Sequence, residues 1–242
     1  MSRPIERSKD FSPRAGRATN GVAVIFDLGG FSKFFNLPDV HTYIPRYLNH
    51  VIKCVETAFF GGPWPWSSRD KIDKASALSP GPVHRKFLGD GALYVWTPPK
   101  GSDTFSNTFI HLLANRLWVL QSDFVAINKA CADDIPVFEL PTSIRFGVAR
   151  GTVFELSIEG SRANEYIGVC VNLASRLQKY CPGLNFIASA RIELPSKFLI
   201  DSGYIKVIAT KIKGFPKELV IVNEAEFKAL DAEARNELFA SP

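Results

Sequence analysis

The chain has 242 residues, of which 46% are hydrophobic, and it carries a formal net charge of +5. No apolar run approaches the length of a transmembrane helix and no signal-peptide pattern opens the chain, so we expect a cytoplasmic protein without a membrane partner. Residues 1–20 hold five basic and two acidic residues and therefore most of the excess charge, which leaves the remainder too weakly basic for a nucleic-acid binder.

The first predicted element follows a polar arm. Residues 1–20 are rich in Arg, Ser and Pro, and we expect them to be flexible, with a single domain over residues 21–242. Residues 22–26 are apolar and predict a buried strand, which ends at Asp27 before a Gly-Gly pair. A carboxylate at the end of a buried strand needs a cationic neighbour, and glycines allow a ligand to approach closely. Asp27 is therefore either a metal or phosphate-site residue or the cap of the next helix.

A helix and a loop come next. Apolar residues at helical spacing predict a helix over residues 45–60, which Gly61 ends. Residues 61–82 are rich in Gly, Pro and Ser and form a predicted loop that carries Trp64 and Trp66. These tryptophans either stack on a ligand or pack over a neighbouring core or subunit interface.

The central part of the chain predicts a hairpin, a helix and two strands. Residues 83–96 form two apolar arms around Gly-Asp-Gly, the signal of a β-hairpin. An apolar stripe over residues 104–131 predicts one long amphipathic helix. Residues 143–151 and 153–158 read as two strands joined at Gly151.

The last third predicts a helix over 169–179, strands over 185–189, 204–209 and 218–222, and a terminal helix over 225–239. The order β-α-β-β-α-β with later additions predicts an α+β fold with a ferredoxin-like core, additional strands and a C-terminal helix.

Four polar features stand out as candidates for chemistry. Asp27 and Asp90 each lie at a glycine turn at a strand end, and together they would suit two divalent cations, although Asp-Gly is also a common plain hairpin turn. Asn172 and Arg176 are four residues apart, so they share one face of the predicted helix, and Arg176 suits a phosphate unless the pair is only a solvated edge. Lys213 lies between two strands, where a lysine by itself indicates little.

Together these features resemble the catalytic domain of class III nucleotide cyclases. Residues 27–32 (DLGGFS) are similar to the family's D-[IL]-x-G-F-[ST] turn, and residues 86–90 (KFLGD) to its K-x-[IL]-G-D hairpin. Residues 171–176 (VNLASR) are similar to V-N-x-A-[SA]-R, and residues 213–214 to a late Lys-Gly. All four occur in the family's order, and the resemblance covers about residues 20–224.

The resemblance implies a head-to-tail homodimer with two composite sites that act on a nucleoside triphosphate. One subunit would hold two divalent metal ions, Mn²⁺ or Mg²⁺, through Asp27, Leu28 and Asp90. The other would direct polar side chains at each part of the substrate: Lys86 and Glu165 at the base, Asn172 at the ribose, and Arg176 and Lys213 at the phosphates, with Asn172 and Arg176 as the catalytic pair. The expected substrate-binding residues also include Gly30 and Phe31 of the turn and Arg46 and Tyr47 of the following helix.

The residues at the base leave several bases open. Lys86 and Glu165 offer a donor and an acceptor, which adenine, cytosine and uracil can each satisfy. The lack of receiver, sensor or membrane domains, the Trp-rich loop, and the segment around Arg46 and Tyr47 resemble the stand-alone pyrimidine cyclases of bacterial anti-phage (Pycsar) systems. A bulky Arg46 or Tyr47 would fill the volume of a purine, unless these side chains serve packing.

We therefore expect a uridylate cyclase whose cyclic UMP acts on a separate effector, with cytidylate and adenylate cyclases as alternatives. A catalytically inactive cyclase-like dimerisation module is the alternative of a different class. An RNA-binding ferredoxin-like sheet would need exposed aromatic residues on its central strands.

Overall fold

The computed structural model describes residues 13–67, 74–132, 135, 139–158 and 164–240. The strands are β1 (Pro13–Ala15), β2 (Thr19–Gly29), β3 (Gly62–Pro63), β4 (Lys74–Ala75), β5 (His84–Phe87), β6 (Ala92–Trp96), β7 (Ser143–Ile158), β8 (Glu165–Gly168), β9 (Phe186–Ser189), β10 (Tyr204–Ala209), β11 (Glu218–Asn223) and β12 (Phe239–Ala240). The helices are α1 (Phe31–Phe35), α2 (Ile44–Phe60), α3 (Asn107–Ser122), α4 (Phe124–Ala132), α5 (Val169–Gln178), α6 (Ser196–Asp201), α7 (Glu224–Ala229) and α8 (Ala232–Leu238).

One mixed sheet organises these elements. Its strand order is β12-β10-β11-β9-β7-β2-β6-β5, and β1 and β8 also pair with β7. β2 is antiparallel to both β6 and β7, and β5 is antiparallel to β6. With α2 between β2 and β5, and α3 and α4 between β6 and β7, the strands β7-β2-β6-β5 form the predicted β-α-β-β-α-β core. The α+β prediction is confirmed, and β9, parallel to β7, begins the extension of the sheet.

β2 lies at the centre and is buried on both faces. Its residues from Val22 to Phe26 are between 0% and 7% exposed. Val22, Val24 and Phe26 join the cluster formed with α2, α3 and α4. Ala23 and Ile25 point the other way, into the cluster formed with α5. Because successive side chains of a strand alternate between faces, helices on both sides account for the unbroken apolar run.

The N-terminal boundary differs from the prediction. β1 pairs antiparallel with the end of β7, with Arg14 opposite Ser157. β2 begins at Thr19, three residues before the predicted start, because Thr19 and Asn20 continue the pairing with β7. The predicted flexible arm is therefore wrong for the strand residues between 13 and 20, and residues 1–12 lie outside the described part.

β7 is a single strand of 16 residues where the sequence predicts two. Gly151 causes no turn, since it lies opposite Gly21 in the pairing with β2. A Cβ atom at Gly151 would lie 3.3 Å from Cγ1 of Val169, so this glycine allows α5 to approach the strand. The glycine is a packing residue, and the break predicted there is wrong.

Two predicted helices are each divided. The long helix over 104–131 separates into α3 and α4 at Asp123, whose side chain accepts a hydrogen bond from Nε1 of Trp66 at 3.1 Å. The terminal helix separates into α7 and α8, because Asp231 caps α8 by accepting from the backbone nitrogen of Ala234 at 2.7 Å. The strand β8 was not predicted.

The tryptophans of the predicted loop are packing residues. Trp64 and Trp66 lie with ring centroids 4.7 Å apart, and both pack against the larger core cluster. Arg116 of α3 lies over the ring of Trp64 at 5.5 Å. In the described residues, no helix is both long and apolar enough to span a bilayer.

The hairpin turn between β5 and β6 lies directly on the end of β2. A Cβ atom at Gly91 would lie 1.8 Å from the carbonyl oxygen of Phe26 and 2.9 Å from Cα of Asp27. A residue with a side chain at position 91 would therefore force the two backbones apart.

We expect Gly91→Ala to destabilise the domain by about 2–3 kcal/mol, the upper range for overpacking, because the obstacle is backbone. The measurement is urea unfolding followed by circular dichroism. Gly81→Ala is the matched control, since nothing lies within 4 Å of a Cβ there. The control should be neutral or stabilising by up to about 1 kcal/mol. Equal stability of the two variants would contradict the contact.

Candidate active site

Asp27 and Asp90 lie at the same edge of the sheet. Phe26 of β2 pairs with Ala92 of β6, which places Asp27 beside the turn that contains Asp90. The close approach of Gly91 to the backbone of Asp27 holds this turn against β2. The Asp27 side chain is 18% exposed, and Asp90 is partly exposed. The fold thus brings together two carboxylates that are 63 positions apart in the printed sequence.

The donor set fits a divalent cation that also takes ligands from a substrate. Over the described ranges, no group of three or more His, Cys, Asp or Glu side chains could hold a metal ion. The buried side chain of Leu28 is a hydrocarbon without a ligand atom, so Leu28 can contribute only its main-chain carbonyl. Two carboxylates and a carbonyl are too few for a dedicated cage, but they suit Mg²⁺ or Mn²⁺ held jointly with phosphate oxygens and water.

Arg145 is a residue of this site that the sequence analysis missed. It lies on β7 directly opposite Asp27. Its Nε donates to Oδ1 of Asp27 at 3.0 Å and its Nη2 donates to Oδ2 at 2.9 Å. Both side chains are mostly buried, with 22% and 18% exposed for Arg145 and Asp27. The cationic neighbour that Asp27 requires is therefore Arg145, supplied by the central pairing of the sheet.

Lys86 and Glu165 meet within one subunit. Nζ of Lys86 donates to both carboxylate oxygens of Glu165, at 2.8 and 2.9 Å. The two side chains are 47% and 36% exposed. An ion pair this exposed contributes about 0–1 kcal/mol, so it can open at low cost for a ligand.

His84 lies behind this ion pair and was also missed. It precedes Lys86 by two residues on β5, so both side chains point to the same face. Nε2 of His84 is 3.9 Å from Oε2 of Glu165, and its ring contacts Tyr166 at 5.1 Å between centroids. Within the described part of the chain this buried nitrogen has no hydrogen-bond partner. Burial lowers the pKa of His84, although the charge of Glu165 acts in the opposite direction.

Asn172, Arg176 and Lys213 lie on exposed surfaces. Asn172 and Arg176 share the outer face of α5, whereas Leu173 and Leu177 of the same helix are fully buried. Lys213 is exposed between β10 and β11, next to Gly214 with φ of 84°. These side chains point outward from the subunit, as a site completed by a second copy would require.

Gly30 and Phe31 lie in the turn after Asp27 and at the start of α1. Gly30 has φ of 84°, a conformation that favours glycine, and it precedes α1. The ring of Phe31 packs towards Phe34 at 5.8 Å, so Phe31 offers a ligand mainly its main chain.

Tyr47 is a core residue, which corrects the expectation that it fills the base pocket. Its side chain is completely buried and its hydroxyl donates to Oδ1 of Asn128 at 2.9 Å. Its ring lies 5.1 Å from that of Phe34, and burial raises the pKa of the hydroxyl. Arg46 is exposed, since adjacent helical residues point in different directions. A purine therefore meets no obstacle from Tyr47.

Comparisons with known proteins agree with this architecture. No protein-family model and no curated protein sequence matches the chain. Among solved structures, the adenylyl cyclase CyaB from P. aeruginosa is similar with a TM-score of 0.58 and 17% identity, over 85% of this chain and 94% of that one. The guanylyl cyclase Cya2 gives a TM-score of 0.55 and 17% identity, over 87% and 93% of the two chains.

A bacterial light-regulated adenylyl cyclase is also similar, with a TM-score of 0.55 and 16% identity, over 93% of this chain and 56% of that one. The chain therefore has the fold of class III nucleotide cyclase catalytic domains. At these identities the likeness establishes the fold, and the activity has to be argued from the site.

The buried His84 makes a prediction about pH. Because its pKa is lowered from the usual 6.5, the unfolded chain takes up the proton first as the pH falls. The His84 contribution to stability is thus complete above about pH 6.5 and is lost as the pH falls from there through the lower folded-state pKa.

We expect His84→Gln to reduce the loss of unfolding free energy between pH 7.5 and pH 5, measured by urea titration. The control is His41→Gln, because His41 is exposed. An unchanged pH dependence in His84→Gln would contradict the assignment of a buried, neutral imidazole.

Proposed function

We propose that the chain is a nucleotide cyclase that converts a nucleoside triphosphate into a 3′,5′-cyclic nucleotide and pyrophosphate. The observation that carries the proposal is the pair Asp27 and Asp90 at one sheet edge, in a fold shared with adenylyl and guanylyl cyclases. Asn172 and Arg176 accompany the two aspartates in this chain. An inactive dimerisation module would not need all four polar side chains, so their joint presence supports an active enzyme.

In this proposal Asp27, Asp90 and the carbonyl of Leu28 hold two divalent metal ions, Mn²⁺ or Mg²⁺. When bound, such ions would favour ionisation of the ribose 3′-hydroxyl and neutralise charge on the triphosphate. The chain's own task at this edge is to fix the carboxylates, which the contact of Gly91 with β2 does for Asp90. No covalent enzyme intermediate is required, since positioning supplies much of the rate.

The proposed enzyme is a homodimer with two composite sites. Arg176 of a second copy would stabilise charge that grows on the phosphates, Lys213 would bind them, and Asn172 would orient the ribose. Two exposed apolar side chains lie shortly before Asn172 in the chain, with Ile167 at 52% and Val169 at 39% exposure. Apolar side chains beside an exposed polar site suit an interface between two copies.

For the substrate we propose UTP, with cyclic UMP as the signal of an anti-phage system that acts on a separate effector. The Lys86–Glu165 pair supports a base read by one donor and one acceptor, which the uracil edge satisfies. Support for a pyrimidine comes from the resemblance of the segment around Arg46 to the pyrimidine cyclases of Pycsar systems. Tyr47 adds no support, because its side chain is buried. CTP and ATP satisfy the same pair and are the competing substrates.

The direct test incubates the purified protein with Mn²⁺ and separately with ATP, GTP, CTP and UTP, and identifies products by mass spectrometry. We expect cyclic UMP, and Asp27→Asn and Asp90→Asn should each lower its formation by at least about 100-fold. Asp201→Asn is the control, because Asp201 is an exposed carboxylate at the end of α6. Cyclic AMP as the main product would overturn the pyrimidine assignment. The absence of a cyclic product from every nucleotide would overturn the proposal that the chain is a cyclase.

The composite site makes a second prediction. Asp27→Asn and Arg176→Ala subunits are each expected to be inactive, but a mixed dimer contains one intact site. After random exchange of equal amounts, half of the dimers are mixed, so about a quarter of the wild-type activity should return. Native mass spectrometry measures the mixed dimers; their presence without activity would contradict a site shared between subunits.

A further inference from the structure

Both oxygens of the Asp27 carboxylate already accept a hydrogen bond within the subunit. Arg145 donates to both of its oxygens, at 3.0 and 2.9 Å, from the position directly opposite on β7. The pair is mostly shielded from water, with 22% and 18% of the two side chains exposed. A fork of two charge-assisted hydrogen bonds is the strongest arrangement available to such a pair.

This arrangement opposes metal binding in two ways. The guanidinium occupies one lone pair of each oxygen, so a cation has only the remaining lone pairs of these oxygens as ligands. Its positive charge also repels a divalent cation, and in a mostly buried site that repulsion is only weakly screened. With Asp27, Asp90 and Arg145 together, the formal charge of the cluster is only −1, a weak attraction for an ion of charge +2.

A nucleoside triphosphate changes this balance because it brings about four negative charges. We propose that Arg145 is a positioning residue that makes occupancy of the Asp27 site depend on the nucleotide, so that cation and triphosphate are bound together. Free cation is then held weakly, and its binding energy is realised only with the substrate in place. By linkage, the nucleotide and the cation strengthen each other's binding by the same factor.

This inference rests on the proposed role of Asp27 as a metal ligand, but its test measures metal binding and not turnover. Mn²⁺ binding to the 242-residue chain is measured without nucleotide by the electron paramagnetic resonance signal of free Mn²⁺. We expect Arg145→Gln to bind at least about tenfold tighter than the wild type, because it removes the competing charge. Arg145→Lys keeps the charge but donates from a single nitrogen, and it should bind about threefold tighter.

Arg150 provides the matched control. It lies on the same strand, is 13% exposed, and forms an ion pair of its own with Glu193 at 2.6 Å. Arg150→Gln removes one positive charge from β7 but leaves the ion pair of Arg145 with Asp27 intact. Its Mn²⁺ affinity should therefore equal that of the wild type. The double variant Asp27→Asn/Arg145→Gln removes both charges and should lose the gain in affinity.

Arg145→Gln leaves a mostly buried carboxylate without its partner, and we expect it to lose folding stability. Thermal unfolding with and without Mn²⁺ therefore accompanies the titration. Tighter binding means that Mn²⁺ raises the melting temperature more in this variant than in the wild type. If Arg145→Gln does not fold, Arg145→Lys decides the question. Affinities of both folded variants equal to or below that of the wild type would overturn the inference.

The outcomes separate this inference from the cyclase proposal. Tighter Mn²⁺ binding in the Arg145 variants, with no cyclic product from the wild type, would support the role of Arg145 and overturn the cyclase. Cyclic product together with unchanged Mn²⁺ affinity would do the reverse.

Discussion

The candidate site depends on the pairing of β2 with a strand on each of its edges. On one edge, β6 carries the hairpin turn with Asp90, and Gly91 touches the backbone at Asp27. On the other, β7 places Arg145 opposite Asp27. The two carboxylates and the guanidinium of Arg145 therefore come from three separate parts of the chain. Because β2 is buried under helices on both faces, its register is held by the core itself.

The elements with a strong local pattern could be predicted from the sequence. The helix predicted over 45–60 is Ile44–Phe60, and the strand predicted over 204–209 has those bounds. The helix shows one helical hydrophobic period along its length, and the strand is a short run rich in β-branched residues. The break predicted at Gly151 is wrong because the sequence does not distinguish a glycine that forms a turn from one that makes room for a neighbouring helix. Only the contact with Val169 distinguishes the two.

The site residues divide in the same way. Asp27 could be recognised because it ends an apolar run just before Gly29 and Gly30, and Asp90 because it lies between two glycines at a hairpin turn. Arg145 could not, because its meaning depends on pairing between residues 118 positions apart. Tyr47 was assigned to the base pocket although a signal against it was present: it precedes the buried Val51 by one helical turn and so lies on the buried face of α2.

The unbroken length of β7 restricts how this protein can change during evolution. β7 pairs with β1, β2, β8 and β9, so a shift of β7 would change the register of four strand pairs at once. The insertion of a single residue within the strand would turn every side chain beyond it to the opposite face of the sheet. Insertions and deletions should therefore accumulate in the connections on either side of β7, whereas the strand itself should vary by substitution alone.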